Sequence, residues 1–273
     1  MDDSAPPVTP NPWQGLRRFT PARIALGRAG VSQPTGAQLA FQLAHASARD
    51  AVHEPLDAEA ACRELASLGL TAVRLRSAAT DRAVYLRRPD LGRRLDVASR
   101  ERLECLRRAS EDRRRYDLAL VVADGLSARA IHRHARTFLA ETLARLPRDW
   151  RLSPAAVVEQ ARVAIGDEIG ELLGADLVLV LIGERPGLSA PDSLGLYFTW
   201  APRVGLTDAQ RNCVSNVRPE GLCYREAAER LCRLLSEARR RRLTGVALKD
   251  ETDPVPPALA GRSGNFLIEP AGR

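Results

Sequence analysis

Residues 177–195 read LVLVLIGERPGLSAPDSLG and combine a strand pattern with a charged, proline-containing loop. Residues 177–182 are all apolar, a pattern typical of a β-strand that is buried on both faces of a sheet. The strand ends directly in the loop GERPG, whose proline biases the preceding arginine toward an extended conformation and stiffens the loop. The loop is therefore predicted to offer backbone atoms to a ligand. The alternative is a tight connection that binds nothing.

Around this stretch, predicted strands alternate with predicted helices. Such alternation indicates an α/β fold with a mainly parallel sheet and helices on its faces. The strands are predicted in YDLALVVADG, at Val157 to Ala164, at Leu177 to Ile182 and in LGLYFTW, and the helices in ARAIHRHARTFLAETLARL (with Ser127 as its cap), in GDEIGELLG and at Tyr224 to Arg241.

The part of the chain before this alternation has a different pattern. Residues 16–115 are predicted to be mostly helical, with a small strand pair in TAVRLRS and AVYLRR. Its predicted helices run from about Gly36 to Val52, from an N-cap at Asp57 to Gly69, and from about Val97 to Arg115. The chain is thus divided into a disordered arm (1–15), this helical region (16–115), an α/β domain (116–250) and a C-terminal tail (251–273).

The composition indicates a globular protein that does not span a membrane. The chain has 273 residues, of which 45% are hydrophobic and 27% charged, as expected for a globular protein with a real core. No run approaches the roughly 18 apolar residues that span a bilayer. The N-terminus is acidic and proline-rich, unlike a secretory signal, so a cytoplasmic location is expected.

The net charge of +7 does not by itself indicate nucleic acid as a partner. Lys249 is the only lysine among 41 basic residues, and the arginines alternate with acidic residues along the chain, which is typical of solvated helix faces. No aromatic residues are interleaved to stack on bases. The five cysteines contain no C-x-x-C pair and are expected to be reduced. His132 and His134 are expected to be surface residues rather than a metal-binding pair.

Three predicted loops follow strands and are candidates for a binding site. They are ADGLS, VAIGD and GERPG, and each contains a glycine and a carboxylate. In open α/β sheets ligands bind beyond the carboxyl ends of the strands. No nucleotide-binding, zinc-protease or nucleophile-elbow motif is present. Asp124 could act as a general base, but no histidine or cysteine adjoins it, so the chain is expected to share its active site with a partner.

Several uncommon strings occur here in a characteristic order. DLALVVADGLSARAI, IGDEIGELLGADLVLVLIGERPGLSAPDSLGLYF and RNCVSNVRPEGLCYREAA, together with GRAG and YLRRPDLGRRL, extend over about Leu16 to Asp250. In these strings the chain resembles the small (light) subunit of ethanolamine ammonia-lyase. The N-terminal arm and the C-terminal tail lie outside the resemblance.

The resemblance implies a cofactor, a partner and a fold. The family's enzyme uses adenosylcobalamin to convert ethanolamine to acetaldehyde and ammonia by a radical mechanism. Its large subunit is a TIM barrel that carries the substrate site, and its small subunit has a Rossmann-like domain. Cobalamin lies between them, held partly by backbone carbonyls of the small subunit. The matching positions are Val163 in ARVAIGDEIGE, Glu184 in IGERPGL and Cys213 in RNCVSN. Carbonyl oxygens suit the amide-rich edge of the corrin, because its primary amides are donors.

Further sequence features concern the ligand of cobalt and the location of the protein. The signature D-x-H-x-x-G, which places a histidine on cobalt, is absent, and DAVHEPL around His53 has the wrong spacing. The resemblance therefore implies that the corrinoid keeps its own benzimidazole on cobalt. The short arm before Leu16 leaves location inside a bacterial microcompartment open. The alternatives are a cobalamin-binding or scaffold protein without lyase chemistry, and a free-standing α/β nucleotide-binding module.

Overall fold

The computed structural model describes residues 7–110 and 115–250. The predicted tail at 251–273 and the first six residues of the predicted arm lie outside the described residues. In the rest of the arm, Thr9 forms an isolated antiparallel bridge with Arg28, and a short 3₁₀ helix occupies Pro12–Phe19.

The elements follow the alternation predicted from the sequence. The helices are α1 (Thr35–His53), α2 (Ala58–Ser67), α3 (Arg82–Arg87), α4 (Val97–Ala109), α5 (Ala128–Ala130), α6 (Arg136–Leu143), α7 (Ile165–Leu173) and α8 (Tyr224–Arg241), with a π-helical segment at Ile131–Ala135 between α5 and α6. The strands are β1 (Ala72–Arg76), β2 (Tyr116–Ala123), β3 (Ala155–Glu159), β4 (Ala175–Gly183), β5 (Leu194–Trp200) and β6 (Asn212–Val217).

The six strands form one mixed sheet in the order β1-β3-β2-β4-β5-β6. The first four strands in this order are parallel, whereas β5 runs antiparallel to β4, and β6 antiparallel to β5. The prediction of a mainly parallel sheet is therefore correct for four strands and misses the antiparallel edge. A parallel neighbour needs a long crossover, usually a helix, and the ten residues between β4 and β5 form no helix.

Helices cover both faces of this sheet, and β4 shows why the run at 177–182 is apolar throughout. Its odd-numbered residues, Leu177, Leu179 and Leu181, pack in a core with residues of α2, α6 and α8. Its even-numbered residues, Val178, Val180 and Ile182, pack in a second core with residues of α4 and α7. A strand with both faces buried has no position for a polar side chain, as the sequence predicted.

Two predictions for the region before β2 need correction. The segment AVYLRR is helical, because the Asp81 carboxylate caps the Val84 N–H at 2.8 Å and starts α3. The strand pair predicted there does not exist: β1 is hydrogen-bonded to β3 and is the edge strand of the main sheet. Asp57 does cap α2, as predicted, by accepting from the Ala60 N–H at 2.8 Å.

Two helix termini differ from the sequence-based boundaries. Helix α4 ends at Ala109, and residues 111–114 of its predicted extension lie outside the described residues. Ser127 precedes α5 but does not cap it, because its hydroxyl instead donates to the Pro191 carbonyl at 2.9 Å. That bond joins the start of α5 to the loop between β4 and β5.

The N-terminal segment leaves large apolar side chains uncovered. Helix α1 has 19 residues and buries only Ala51, while Leu39 and Leu43, one turn apart, are 58% and 73% exposed. Trp13 and Phe19 in the preceding 3₁₀ helix are exposed as well. We refer to these four exposed side chains as the apolar N-terminal surface. Among the described residues, no helix is both long and apolar enough to cross a membrane.

Candidate functional site

The three segments predicted to form a site do meet at one edge of the sheet, although β3 ends at Glu159 and residues 165–167 of VAIGD form the first turn of α7 rather than a loop. They follow β2, β3 and β4, which are parallel neighbours in the order β3-β2-β4, so their carboxyl ends lie side by side. The Gly183 carbonyl accepts from the Leu126 N–H at 3.0 Å, which joins the loop after β4 to the loop after β2. This edge is where α/β folds bind ligands.

Two glycines allow these loops to approach so closely. A Cβ at Gly183 would lie 2.0 Å from the Ser127 carbonyl oxygen, and one at Gly125 would lie 2.2 Å from the Gly183 carbonyl oxygen. Gly125 also has φ of +57°, in the left-handed region. The glycine that opens GERPG therefore serves the packing of one loop on another, a role that the sequence pattern did not reveal.

Asp124 is a structural tether rather than an available base. Its carboxylate is 1% exposed and accepts from the backbone N–H groups of Gln160 and Ala161 at 2.8 and 2.9 Å, and from Arg82 Nη1 at 3.3 Å. Gln160 is held at φ of +58°. Burial raises the pKa of Asp124 to about 6, against these donors, which lower it. The carboxylate thereby fixes the loop after β3, which carries Val163.

Two adjoining cavities open at this edge. The first, here called the arginine cleft, has a volume of about 780 Å³ and extends from the loop after β3 toward residues 204–208. The second, here called the loop cavity, has about 440 Å³ and lies between the loops after β2, β3 and β4. Both are lined by Arg162, Val163, Arg185 and Tyr197.

The structure brings two of the three predicted contact residues to these cavities. Val163 lines both cavities, and Glu184 lines the loop cavity. Cys213 lies on the edge strand β6 and lines neither cavity, but it pairs in register with Tyr197, which lines both. Burial raises the pKa of the Tyr197 hydroxyl above its usual range, so the hydroxyl stays protonated.

The side chain of Glu184 is engaged within the protein. Its carboxylate accepts from the Ser193 hydroxyl at 2.5 Å and from the Asn216 N–H at 3.2 Å. The Glu184 N–H also donates to the Ser193 carbonyl at 3.0 Å. These bonds tie the start of the GERPG loop to the start of β5 and to β6. The loop is therefore held by the side chain of Glu184 as well as by Pro186.

A stack of charged and aromatic side chains, which sequence reasoning missed, supports the loop after β3. The Arg162 guanidinium lies 4.2 Å from the centre of the Tyr85 ring, and that of Arg82 lies 4.7 Å from the same ring. The Tyr85 hydroxyl donates to the Ala161 carbonyl at 3.0 Å. Arg162 stands beside Val163 in the sequence, but its partner Tyr85 comes from α3, which no local pattern connects to this loop.

His134 is not the surface residue that was predicted. It is 7% exposed, and its Nδ1 lies 2.7 Å from the Tyr224 hydroxyl, while its Nε2 lies 3.4 Å from Asp192. Burial lowers the pKa of His134, although Asp192 opposes this effect. His132 is half-buried and accepts through Nε2 from the Asp57 N–H at 3.0 Å. Both histidines thus connect elements of the fold.

A buried ion pair closes the far side of the arginine cleft. Arg211 Nη1 and Asp167 Oδ1 are 2.5 Å apart, and both side chains are 3% exposed. Burial raises the pKa of Asp167, against the lowering effect of Arg211. The pair joins the first turn of α7 to the residue before β6, the strand that carries Cys213. All five cysteines are free thiols.

Comparison with known proteins finds relatives over nearly the whole chain. The family model described as ethanolamine ammonia-lyase light chain (EutC) matches residues 10–249. The chain is 60% identical to the ethanolamine ammonia-lyase small subunit of Azotobacter vinelandii, over 98% of this chain and 99% of that protein. It is 58% identical to the protein of the same description from Ralstonia nicotianae, over 98% of each, and 60% identical to that of Pseudomonas aeruginosa strain UCBPP-PA14, over 94% of each.

Proposed function

Because the chain belongs to the ethanolamine ammonia-lyase light chain family, we propose that it holds adenosylcobalamin against a large subunit, in a complex that converts ethanolamine to acetaldehyde and ammonia. The observation that carries this proposal is the meeting of the loops after β2, β3 and β4 at one edge of the sheet, with Val163 and Glu184 lining the same cavity. Parallel strands ending together form the usual ligand site of this class of fold, here proposed to be Rossmann-like.

The residues at this edge suit a corrinoid. Its primary amides are donors, and the backbone carbonyls of Val163, Glu184 and Cys213 are acceptors. The Val163 carbonyl already accepts from the Gly166 N–H at 3.1 Å, but a carbonyl oxygen has a second lone pair. Asp124 and the Glu184 carboxylate fix the loops from within, so the acceptors are positioned before any ligand binds.

When bound, adenosylcobalamin supplies the radical chemistry that starts the reaction. In this proposal the chain itself binds, orients and shields the cofactor, and the substrate site belongs to the large subunit. No residue of this chain is assigned a catalytic role, in keeping with the engagement of Asp124 by backbone donors.

The apolar N-terminal surface supports the partnership with a large subunit. Leu39 and Leu43 lie on a helix whose C-terminal end is anchored at the candidate site, because Arg82 donates both to the Val52 carbonyl at 2.6 Å and to the Gly125 carbonyl at 2.9 Å. Exposed apolar side chains on a helix that is anchored at a cofactor site are expected where a second subunit covers both. This surface is therefore proposed to contact the large subunit.

Reconstitution tests the proposal. The purified chain, its large subunit and their mixture are each assayed for acetaldehyde formation from ethanolamine with adenosylcobalamin, and for retention of the corrin absorbance after gel filtration. We expect turnover and tight cofactor retention in the mixture alone. Turnover by this chain in isolation would contradict the proposal. A mixture that retains the corrinoid without turnover would favour the alternative, a cobalamin-binding protein without lyase chemistry.

A further inference from the structure

The arginine cleft contains three cations that have no ion-pair partner among the described residues. Arg93, Arg162 and Arg185 line it, and none of the three forms a salt bridge with any residue in the described parts of the chain. By contrast, its acidic residues Asp167 and Asp208 are both paired, at 2.5 and 3.2 Å. The cleft therefore carries excess positive charge.

The third acidic residue of the cleft is also neutralised. Glu168 is 2% exposed, pairs with Arg100 and accepts from the Leu95 N–H at 2.9 Å. The three carboxylates of the cleft are thus each paired with an arginine other than Arg93, Arg162 and Arg185. Cations gathered in a concave, partly desolvated site repel one another, and a bound anion removes that cost.

The side chain of Arg162 is positioned to bind such an anion. Its guanidinium is stacked on Tyr85 at 4.2 Å, and its backbone N–H donates to the Gly92 carbonyl at 2.7 Å. Its Nη2 makes only a long contact of 3.5 Å with the Tyr85 carbonyl, and its buried Nε has no hydrogen-bond partner among the described residues. A buried donor without a partner is unusual and calls for an explanation. A planar, stacked guanidinium is well suited to two parallel bonds to a phosphate.

We propose that Arg162, assisted by Arg93 and Arg185, binds a phosphoryl group in the arginine cleft. Resting on the proposed function, we assign this group to the phosphodiester that joins the corrin ring to the benzimidazole nucleotide of the cofactor. The amides around the corrin are neutral, so the phosphodiester is the peripheral group that carries a negative charge. Because Arg162 lines both cavities, it adjoins the loop cavity that Val163 and Glu184 also line.

The test compares corrinoids that differ in this group. Equilibrium binding to the reconstituted complex is measured from corrin absorbance for cobalamin, for cobinamide phosphate and for cobinamide, which lacks the phosphate and the nucleotide. We expect the wild-type complex to bind both phosphate-containing corrinoids about 10- to 100-fold more tightly than cobinamide, the range for hydrogen bonds to charged groups. In Arg162→Met that preference should fall to a few-fold, with cobinamide affinity unchanged.

Cobinamide binding also shows whether the variant complex is folded. The matched control is Arg87→Met, since Arg87 is an exposed arginine on the same helix as Tyr85 and lines neither cavity. It should preserve the wild-type preference. Equal loss of cobalamin and cobinamide binding in Arg162→Met would overturn the inference, because it would show a purely structural role.

A second experiment tests whether the bound phosphoryl group belongs to the cofactor or to free phosphate. Inorganic phosphate is added to the complex without corrinoid, and the melting temperature is measured. Stabilisation that is lost in Arg162→Met, together with an unchanged preference among corrinoids, would overturn the assignment to the cofactor. If the wild-type complex binds all three corrinoids equally, the inference fails and the proposed function stands. If it binds none, the proposed function itself fails.

Discussion

At the scale of single residues, variants of Glu184 show whether the cofactor contacts the backbone carbonyl or the carboxylate of this residue. Glu184→Gln keeps a carbonyl oxygen that can accept from Ser193 or Asn216, so cobalamin affinity of the reconstituted complex should stay within about threefold of wild type. Glu184→Ala removes both tethers and should cost about 1–3 kcal/mol in loop order and cofactor binding. Affinity titrations distinguish the two. A large loss in Glu184→Gln would mean that the carboxylate itself contacts the cofactor.

The buried His134 is expected to make the free energy of unfolding depend on pH. Burial lowers its pKa in the folded state, so the unfolded chain takes up the proton more readily. His134 therefore lowers the free energy of unfolding as the pH falls below about 6.5, the usual pKa of histidine, and has no such effect at higher pH. Urea denaturation of wild type and His134→Gln between pH 8 and pH 5 should show a steeper decline in wild type. Parallel profiles would refute this account.

Among the residues of the site, those whose place follows from strand order could be predicted, and those whose place depends on distant partners could not. Val163 and Glu184 could be predicted to share a site, because both follow strands whose carboxyl ends meet. The role of Arg162 could not, since it depends on Tyr85, a residue 77 positions away. The burial of His134 was missed for the same reason: its partners Tyr224 and Asp192 lie far along the chain.

At the scale of elements, two loops cross at Gly183, so a methyl group added to this residue is expected to lower the stability of the fold strongly. A Cβ there would meet the Ser127 and Asp124 carbonyl oxygens at 2.0 and 2.7 Å, and backbone cannot move aside as a flexible side chain can. Gly183→Ala should lower the free energy of unfolding by about 3 kcal/mol or more. Gly187→Ala in the same loop is the control, because its nearest neighbour would be 3.7 Å away. Similar stability of both variants by chemical denaturation would contradict the crossing.

Periodicity identified the elements whose apolar pattern extends over their whole length. Strand β4, which is buried on both faces, and helix α8, which buries one face, lie where the apolar patterns placed them. Segment 83–88 was mistaken for a strand, because alternation over six residues fits both structures. The Asp81 carboxylate, which caps the helix at Arg82–Arg87, decides for a helix. The direction of β5 follows from the loop before it, which no periodicity encodes.

At the scale of the whole molecule, the apolar N-terminal surface predicts how association can be weakened without unfolding the chain. Leu43→Glu replaces a side chain that is 73% exposed, so the stability of the isolated chain should change by less than about 0.5 kcal/mol. Affinity for the large subunit should fall about tenfold or more, as for an apolar anchor at an interface. Gln38→Glu adds the same charge at another exposed position of α1 and is the control. Unchanged affinity in Leu43→Glu, measured by analytical ultracentrifugation, would exclude this face from the interface.

The apolar N-terminal surface also affects how the protein is made. A chain that leaves the ribosome before its partner is present displays Leu39, Leu43, Trp13 and Phe19 to every other chain and chaperone nearby. Surfaces of this kind promote aggregation and degradation when they stay uncovered. The yield of this polypeptide should therefore depend on matched synthesis of the two subunits, so that surplus copies are removed rather than stored.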